Sequence, residues 1–321
     1  MKRGIGWFVT CIAMLMASVQ FVSAQNLPQQ IKIIVPFPPG GPTDVLARYI
    51  AQGLSENLKR TVFVENRPGA NATVGAEQVA RAAPDGSTLL FNATHQVVTP
   101  ALFKKLPYDT EKDFTAVGLA ATVPNALVVN PNFEAKTLAE LIALAKKEPG
   151  KLSYGSFGGS NQLAAELFKK MAGVDIVHIP YKGQAPAMND VVAGHLPMMF
   201  DSLPTSLPVA EGGRARILAV TSAERSKSLP DVPTIAEAGN LPGYEANAWF
   251  GLFMPAAEGS AVQKDLAKAM ADVLARKDIQ EKFIALGATP GTLMGDDFTK
   301  FVHAELKKWR KVVDDAGIER Q

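Results

Sequence analysis

The sequence predicts an α/β fold of two lobes, each a mixed sheet flanked by helices, with two strands crossing between the lobes as a hinge. Three observations predict it. Short β-branched runs alternate with segments whose apolar residues recur three or four apart, the signature of strands feeding helices. Two longer apolar runs, 114–122 and 248–254, bracket the middle of the chain. The chain has 321 residues, more than one ordinary domain holds. A single doubly wound domain is the alternative architecture.

The elements follow in order. Residues 31–35 (IKIIV) form a buried strand ended by Pro36. Val45, Leu46, Tyr49, Ile50, Leu54 and Leu58 then fall on one helical face. Residues 61–65 make a second strand, broken by Pro68-Gly69, and 74–82 a helix stopped by Pro84-Asp85-Gly86. With a third strand at 87–91, this β-α-β-α-β order implies parallel pairing. The middle repeats the alternation, with strands at 126–130, 152–156, 175–179, 198–200 and 216–221 and helices at 138–147, 163–171 and 187–193. The tail reads as three helices, 261–275, 279–286 and 297–316. No internal repeat or long linker is visible in the letters. Residues 25–122 plus 251–321 are expected to build the first lobe and 123–250 the second.

The first 24 residues stand outside this plan. Met1-Lys2-Arg3 gives a positive start, 5–22 is almost wholly apolar, and Val22-Ser23-Ala24 supplies small residues for cleavage. This is the pattern of a cleaved secretory signal, with a retained anchor as the alternative. Cys11, the only cysteine, falls inside it, so disulfides, thiolate catalysis and Cys-based zinc sites are excluded from the mature chain. Losing Lys2 and Arg3 removes the formal charge of +2, and no basic footprint for nucleic acid remains. A charge-balanced, cysteine-free exported protein fits a bacterial periplasm.

Two polar loops, one per lobe, can hold an anion. The first, Pro36-Phe37-Pro38-Pro39-Gly40-Gly41-Pro42-Thr43-Asp44, joins a strand to a helix. Its prolines stiffen the approach, its glycines admit close backbone contact, and Pro42 suits the first helical turn. Free N–H groups at a helix start attract an anion. Thr43 or Asp44 can cap or line that turn. The second loop, Tyr154-Gly155-Ser156-Phe157-Gly158-Gly159-Ser160-Asn161-Gln162, offers hydroxyls, amides and backbone without fixed charge, and Ser160 or Asn161 can serve as N-cap. Neither loop carries a nucleotide-binding signature.

These residues also carry a resemblance. The first loop, Glu65-Asn66-Arg67-Pro68-Gly69-Ala70, Ala83-Pro84-Asp85-Gly86, Leu106-Pro107-Tyr108-Asp109 and Lys151-Leu152-Ser153-Tyr154-Gly155-Ser156 resemble the periplasmic receptors of tripartite tricarboxylate transporters, the Bug-type solute-binding proteins. Val177-His178-Ile179-Pro180-Tyr181-Lys182-Gly183, Met199-Phe200-Asp201, Leu229-Pro230-Asp231-Val232-Pro233-Thr234, Trp249-Phe250-Gly251-Leu252-Phe253 and Asp315-Ala316-Gly317-Ile318 extend the match along the mature chain. The resemblance implies a two-lobed periplasmic binding protein of type II-like fold, monomeric, that closes on a small carboxylated solute and passes it to membrane permease subunits. It also implies that Phe37, Gly40, Gly41, Thr43 and Asp44 of the first loop, and Ser156, Gly159, Ser160 and Asn161 of the second, border the ligand, with Tyr181 and Asp201 at the cleft. One departure stands out: the second loop is shorter than is common in the family, and Gln162 stands where a His is expected.

Other chemistry is sparse. His95 follows the third strand, either facing the crevice at the strand ends or serving as an ordinary loop histidine. Asp201 can accept from a ligand amine or hydroxyl, or cap the next turn. His178 reads as a core residue of its strand, and Trp249, Phe250 and Phe253 as packing, with the pocket wall as their alternative place. The four histidines lack metal-site spacing, so no metal or cofactor is predicted. No nucleophile elbow is present, which argues against a hydrolase on the same cleft. A protein that signals to a receptor kinase instead of a permease is an alternative that the sequence does not separate.

Overall fold

The computed structural model describes residues 27–156, 159–181 and 183–320; the expected leader and Cys11 lie outside the described residues. The first half opens with β1 (Gln30–Val35), α1 (Pro42–Leu58), β2 (Thr61–Asn66), α2 (Thr73–Ala80), β3 (Thr88–Ala93), α3 (His95–Leu102) and the long β4 (Phe114–Val123). The middle holds β5 (Asn125–Val129), α4 (Leu138–Lys147), β6 (Ser153–Ser156), α5 (Gly159–Ala172), β7 (Val177–Pro180) and α6 (Gln184–Ala193). It continues with β8 (Met198–Ser202), α7 (Leu203–Glu211), β9 (Arg216–Val220) and α8 (Ile235–Ala238). The chain returns through β10 (Ala248–Pro255) and ends with α9 (Ala261–Leu274), α10 (Lys277–Ala285), β11 (Thr289–Pro290) and α11 (Gly295–Asp315).

The strands form two mixed sheets, ordered β11-β4-β10-β3-β1-β2 and β7-β6-β8-β5-β9. β1 pairs in parallel with β2 and β3, as the alternation predicts, while β10 is antiparallel to β3 and β4. The second sheet repeats this plan: β6 is parallel to β7 and β8, and β5 is antiparallel to β8 and β9. Aligned on this plan, β4-β10-β3-β1-β2 corresponds to β9-β5-β8-β6-β7. The repeat absent from the letters is therefore present in the topology.

Both crossings between sheets are visible. Only Pro124 separates β4 from β5, and β10 begins directly after Ala246 and Asn247. The crossings are laced together: the Asn125 amide donates to Thr221 Oγ1 at 2.8 Å, and Asn125 Nδ2 donates to the Ala246 carbonyl at 2.9 Å. Backbone bonds from Thr221 to Asn125 and from Ala246 to Thr221 complete the lacing.

Packing divides by sheet face. Ile31, Ile33 and Val35 alternate onto the face covered by α1, α9 and α10, beside Leu46, Leu54, Leu266 and Phe283. Ile34 and Leu90 point to the other face, where α2, α3 and α11 bring Ala76, Val97 and Leu306. That second cluster runs without a break into the other half through Leu163, Phe168 and Phe200. Trp249 packs against Phe253, Phe298 and Phe301, confirming a packing role. Its indole and that of Trp309 both donate to buried Glu305, at 3.1 and 2.9 Å.

Candidate functional site

In sheets of this topology a ligand crevice opens at the carboxyl end of the strands, where successive connections leave in opposite directions. In the first sheet that point lies between β1 and β3, and in the second between β6 and β8. The first loop leaves β1 and α3 begins just after β3; the second loop leaves β6 and Asp201 is the last residue but one of β8. Both carboxyl rims also abut the crossings, because Ala93 of β3 pairs with Phe250 at the start of β10 and Ser202 of β8 pairs with Asn125. The two rims therefore open toward the same hinge.

The first rim is rigidly built. Gly41 is the extended N-cap of α1 and Pro42 its first residue, so the amides of Thr43 and Asp44 start a helix with no preceding turn to bond. Gly40 has φ 86°, a left-handed geometry that glycine adopts without strain. Its amide donates inward to Asp44 Oδ2 at 2.9 Å. Asp44 also accepts from Arg48 Nε at 3.0 Å and, on Oδ1, from Asn66 Nδ2 at 2.9 Å. Asn66 Nδ2 reaches the Phe37 carbonyl at 3.1 Å as well. Burial works to raise the Asp44 pKa, but the bonds from Arg48, the Gly40 amide and Asn66 outweigh it and hold it below the usual value. Asp44 is thus a buried staple of the loop, and neither its carboxylate nor the Gly40 amide is turned outward. Phe37 stays half-buried and meets the His95 ring edge-on at 5.0 Å, closing the crevice between β1 and β3. His95 is the first residue of a helix and not a loop residue. Burial lowers its pKa to about 4, so the imidazole is neutral near pH 7. Behind it, the hydroxyl of Thr94 accepts from the Trp249 amide at 2.9 Å, tying the rim to β10.

The second rim differs from expectation in several places. α5 begins at Gly159, so Ser160 and Asn161 lie inside its first turn and do not cap it. Asn161 is buried and donates to Asn125 Oδ1 at 3.1 Å and to the Phe200 carbonyl at 3.3 Å, wiring the helix start to the hinge. Ser160 remains half-buried at the rim. Ser156 is fully buried, and its Oγ lies 2.8 Å from His178 Nε2. The parallel register of β6 and β7 creates this pair, with His178 stacked on Tyr154 at 5.0 Å. His178 is therefore not a core residue: it sits on an edge strand between exposed Val177 and Ile179. A serine–histidine pair resembles a nucleophile with its base, but with Ser156 at 0% exposure it works as a clamp between strands. Tyr181 turns its hydroxyl to Asp190 at 2.7 Å, so it buttresses α6. The phenol's pKa rises to about 12 through burial and that carboxylate.

Asp201 is fully buried, one residue before the end of β8 and one residue before the N-cap position of α7, where the Ser202 side chain makes no capping bond. Its Oδ2 accepts from Gln184 Nε2 at 3.0 Å and lies 3.1 Å from Thr205 Oγ1. Burial raises its pKa to about 6, against the pull of the Ser202 amide, Thr205 and Gln184. Arg48, Asn66, Asn125, Gln184 and Thr205 were not anticipated from sequence. Only the Asp44–Arg48 spacing, four apart on one helix, was there to be found.

Two α/β sheets of matching topology, joined by two laced crossings and opening toward one hinge, define the fold of periplasmic binding proteins. The comparisons agree. The model of the family described as "Tripartite tricarboxylate transporter family receptor" matches residues 46–318. The chain belongs to that family. It is 36% identical to Protein BugT of Bordetella pertussis over 303 residues, 93% of each chain. Among solved structures, "R. palustris Rpa4515 with adipate" is 38% identical with a TM-score of 0.77, covering 91% of this chain and 98% of that one. "MatC (Rpa3494) from Rhodopseudomonas palustris with bound malate" is 32% identical with a TM-score of 0.72, covering 88% and 98%. Periplasmic binding protein BugD is 33% identical with a TM-score of 0.74, covering 91% and 99%.

Proposed function

We propose that this chain is a periplasmic receptor that captures a small carboxylated solute between its two lobes and delivers it to the membrane subunits of a tripartite tricarboxylate-type permease. The observation that carries the reading is the pairing of two strand-end crevices, each with the start of a helix of fourteen or more residues at its rim, on either side of one hinge. Helix starts favour negative oxygens. The neighbours with adipate and malate bound support a carboxylate as the guest. The lobes are read as 25–122 with 251–321 and as 123–250, and the N-terminal segment as the export signal. Phe37, Gly41, Thr43 and His95 form the wall on one side, with Gly159, Ser160 and the neighbourhood of Asp201 opposite. Asp44, Gly40, Ser156, Asn161 and Tyr181 hold those walls in place. Binding bridges the lobes and shifts an open–closed equilibrium by the difference in affinity for the two states.

A thermal-shift screen over mono- and dicarboxylates tests this. A ligand at 100 times its Kd adds about 2.7 kcal/mol of stability, enough to raise Tm by several degrees. A broad organic-acid panel that leaves Tm unmoved would overturn the reading.

A further inference from the structure

Asp201 is the least satisfied buried charge at the site. Among the described residues, Oδ1 has no hydrogen-bond partner although the residue is wholly inaccessible. Oδ2 is hardly better served. The Thr205 hydroxyl carries one proton, and its contact with the Ser202 carbonyl, at 2.7 Å, is shorter than that with Asp201 at 3.1 Å. Beside the neighbouring Ser202 amide, Gln184 is then the one firm side-chain donor to a group that accepts about four hydrogen bonds when ionised. A buried acceptor left in this state costs free energy, and a bound partner that donates to it removes that cost. The cover above it is thin: Thr205 is exposed and Gln184 half-buried at the first residue of α6. Because Thr205 already holds a second acceptor, its hydroxyl can leave the carboxylate without being stranded.

Resting on the carboxylate-receptor reading above, we propose that Asp201 makes the site selective for carboxylates that also carry a hydrogen-bond donor, a hydroxyl or an ammonium, on the carbon beside a carboxylate. The donor meets Asp201, while the negative oxygens meet the amides at the helix starts. A site with an unpaired buried acceptor discriminates strongly against an analogue that lacks the donor. Unsubstituted dicarboxylates bind, but leave Asp201 as it is.

The test is calorimetric titration at pH 7.5 with length-matched pairs: succinate against malate and aspartate, glutarate against 2-hydroxyglutarate, adipate against 2-hydroxyadipate. In at least one pair the donor-bearing acid is expected to bind tenfold or more tightly. In Asp201→Asn the amide keeps the shape and can still accept from Gln184, but presents N–H where Oδ1 was, so the preference collapses to within about twofold. Equal affinities in every pair, with binding intact, would overturn the proposal and leave the receptor reading standing. A preference that survives Asp201→Asn would overturn it too. No heat and no Tm shift with any acid would overturn the receptor reading, and this proposal with it. The wild-type comparison stands by itself should Asp201→Asn fold poorly.

Discussion

At the scale of single residues, the site depends on carboxylates used in opposite ways. Asp44 is surrounded by donors, and its pKa is held down despite burial. Asp201 is buried with few donors, and its pKa is pushed up to about 6. The sign of the stability effect follows. The folded Asp201 keeps its proton to a higher pH than the unfolded chain, so its contribution is present below about pH 4 and is lost as pH rises through 6. Asp201→Asn, which cannot ionise, is therefore expected to match wild type near pH 4 and to exceed it above pH 6, by at most about 3 kcal/mol. Urea unfolding at pH 4, 6 and 8 checks this; a variant advantage largest at pH 4 would contradict it. The same contrast shows what the sequence made legible. The loop Pro36-Phe37-Pro38-Pro39-Gly40-Gly41 announces a strand-to-helix turn by composition alone. That Asp44 faces inward depends on Asn66, 22 residues away, and the Ser156–His178 clamp depends on a parallel register between strands 22 residues apart. Helical spacing reveals neighbours three or four apart; contacts made by sheet pairing leave no such trace.

At the scale of elements, helices with clear local signals were legible and those without were not. α4 matches its expected bounds because the Thr137 side chain accepts from the Glu140 amide and Glu148-Pro149-Gly150 stops it. α3 and α7 were missed because Pro100, Pro204 and Pro208 fall inside short, weakly periodic runs, where tertiary packing and not propensity makes the helix. α2 shows how an element can fix a distant loop. Its Gly75 lies so close to the first loop that an added Cβ would sit 2.9 Å from Pro36 Cβ and 3.0 Å from the Arg67 carbonyl oxygen. Neither neighbour is the end of a flexible side chain. Gly75→Ala is expected to cost about 1–3 kcal/mol by overpacking and to weaken carboxylate binding, since the displaced backbone leads directly into Phe37. Thermal melts with calorimetric titration check both parts. Unchanged stability and affinity would mean that the loop is free of α2.

At the scale of the whole molecule, two sheets do not make two independent folding units. The cluster holding Ile34, Leu90 and Val97 continues through Leu163, Phe168 and Phe200, so the α3–α11 layer of one half and α5 of the other share a core. The Tyr244 hydroxyl, in the segment returning to the first sheet, donates to the Ala164 carbonyl of α5 at 2.9 Å, and Lys170 of α5 pairs with Asp315 of α11. Removing one half would expose this apolar surface, at roughly 25 cal/mol for each Å² uncovered. Neither half then survives loss of the other, and heating is expected to give one cooperative transition with calorimetric and van't Hoff enthalpies in agreement. A saturating ligand moves that single transition upward as a unit, since it binds only the folded pair of lobes. Two resolved peaks, or a ligand that shifts one part of the transition alone, would show that the lobes unfold separately and that the shared core is weaker than its continuity suggests. The same core bears on the proposed closure: rotation of the lobes about the laced crossings at Asn125, Thr221 and Ala246 would slide α5 against α3 and α11.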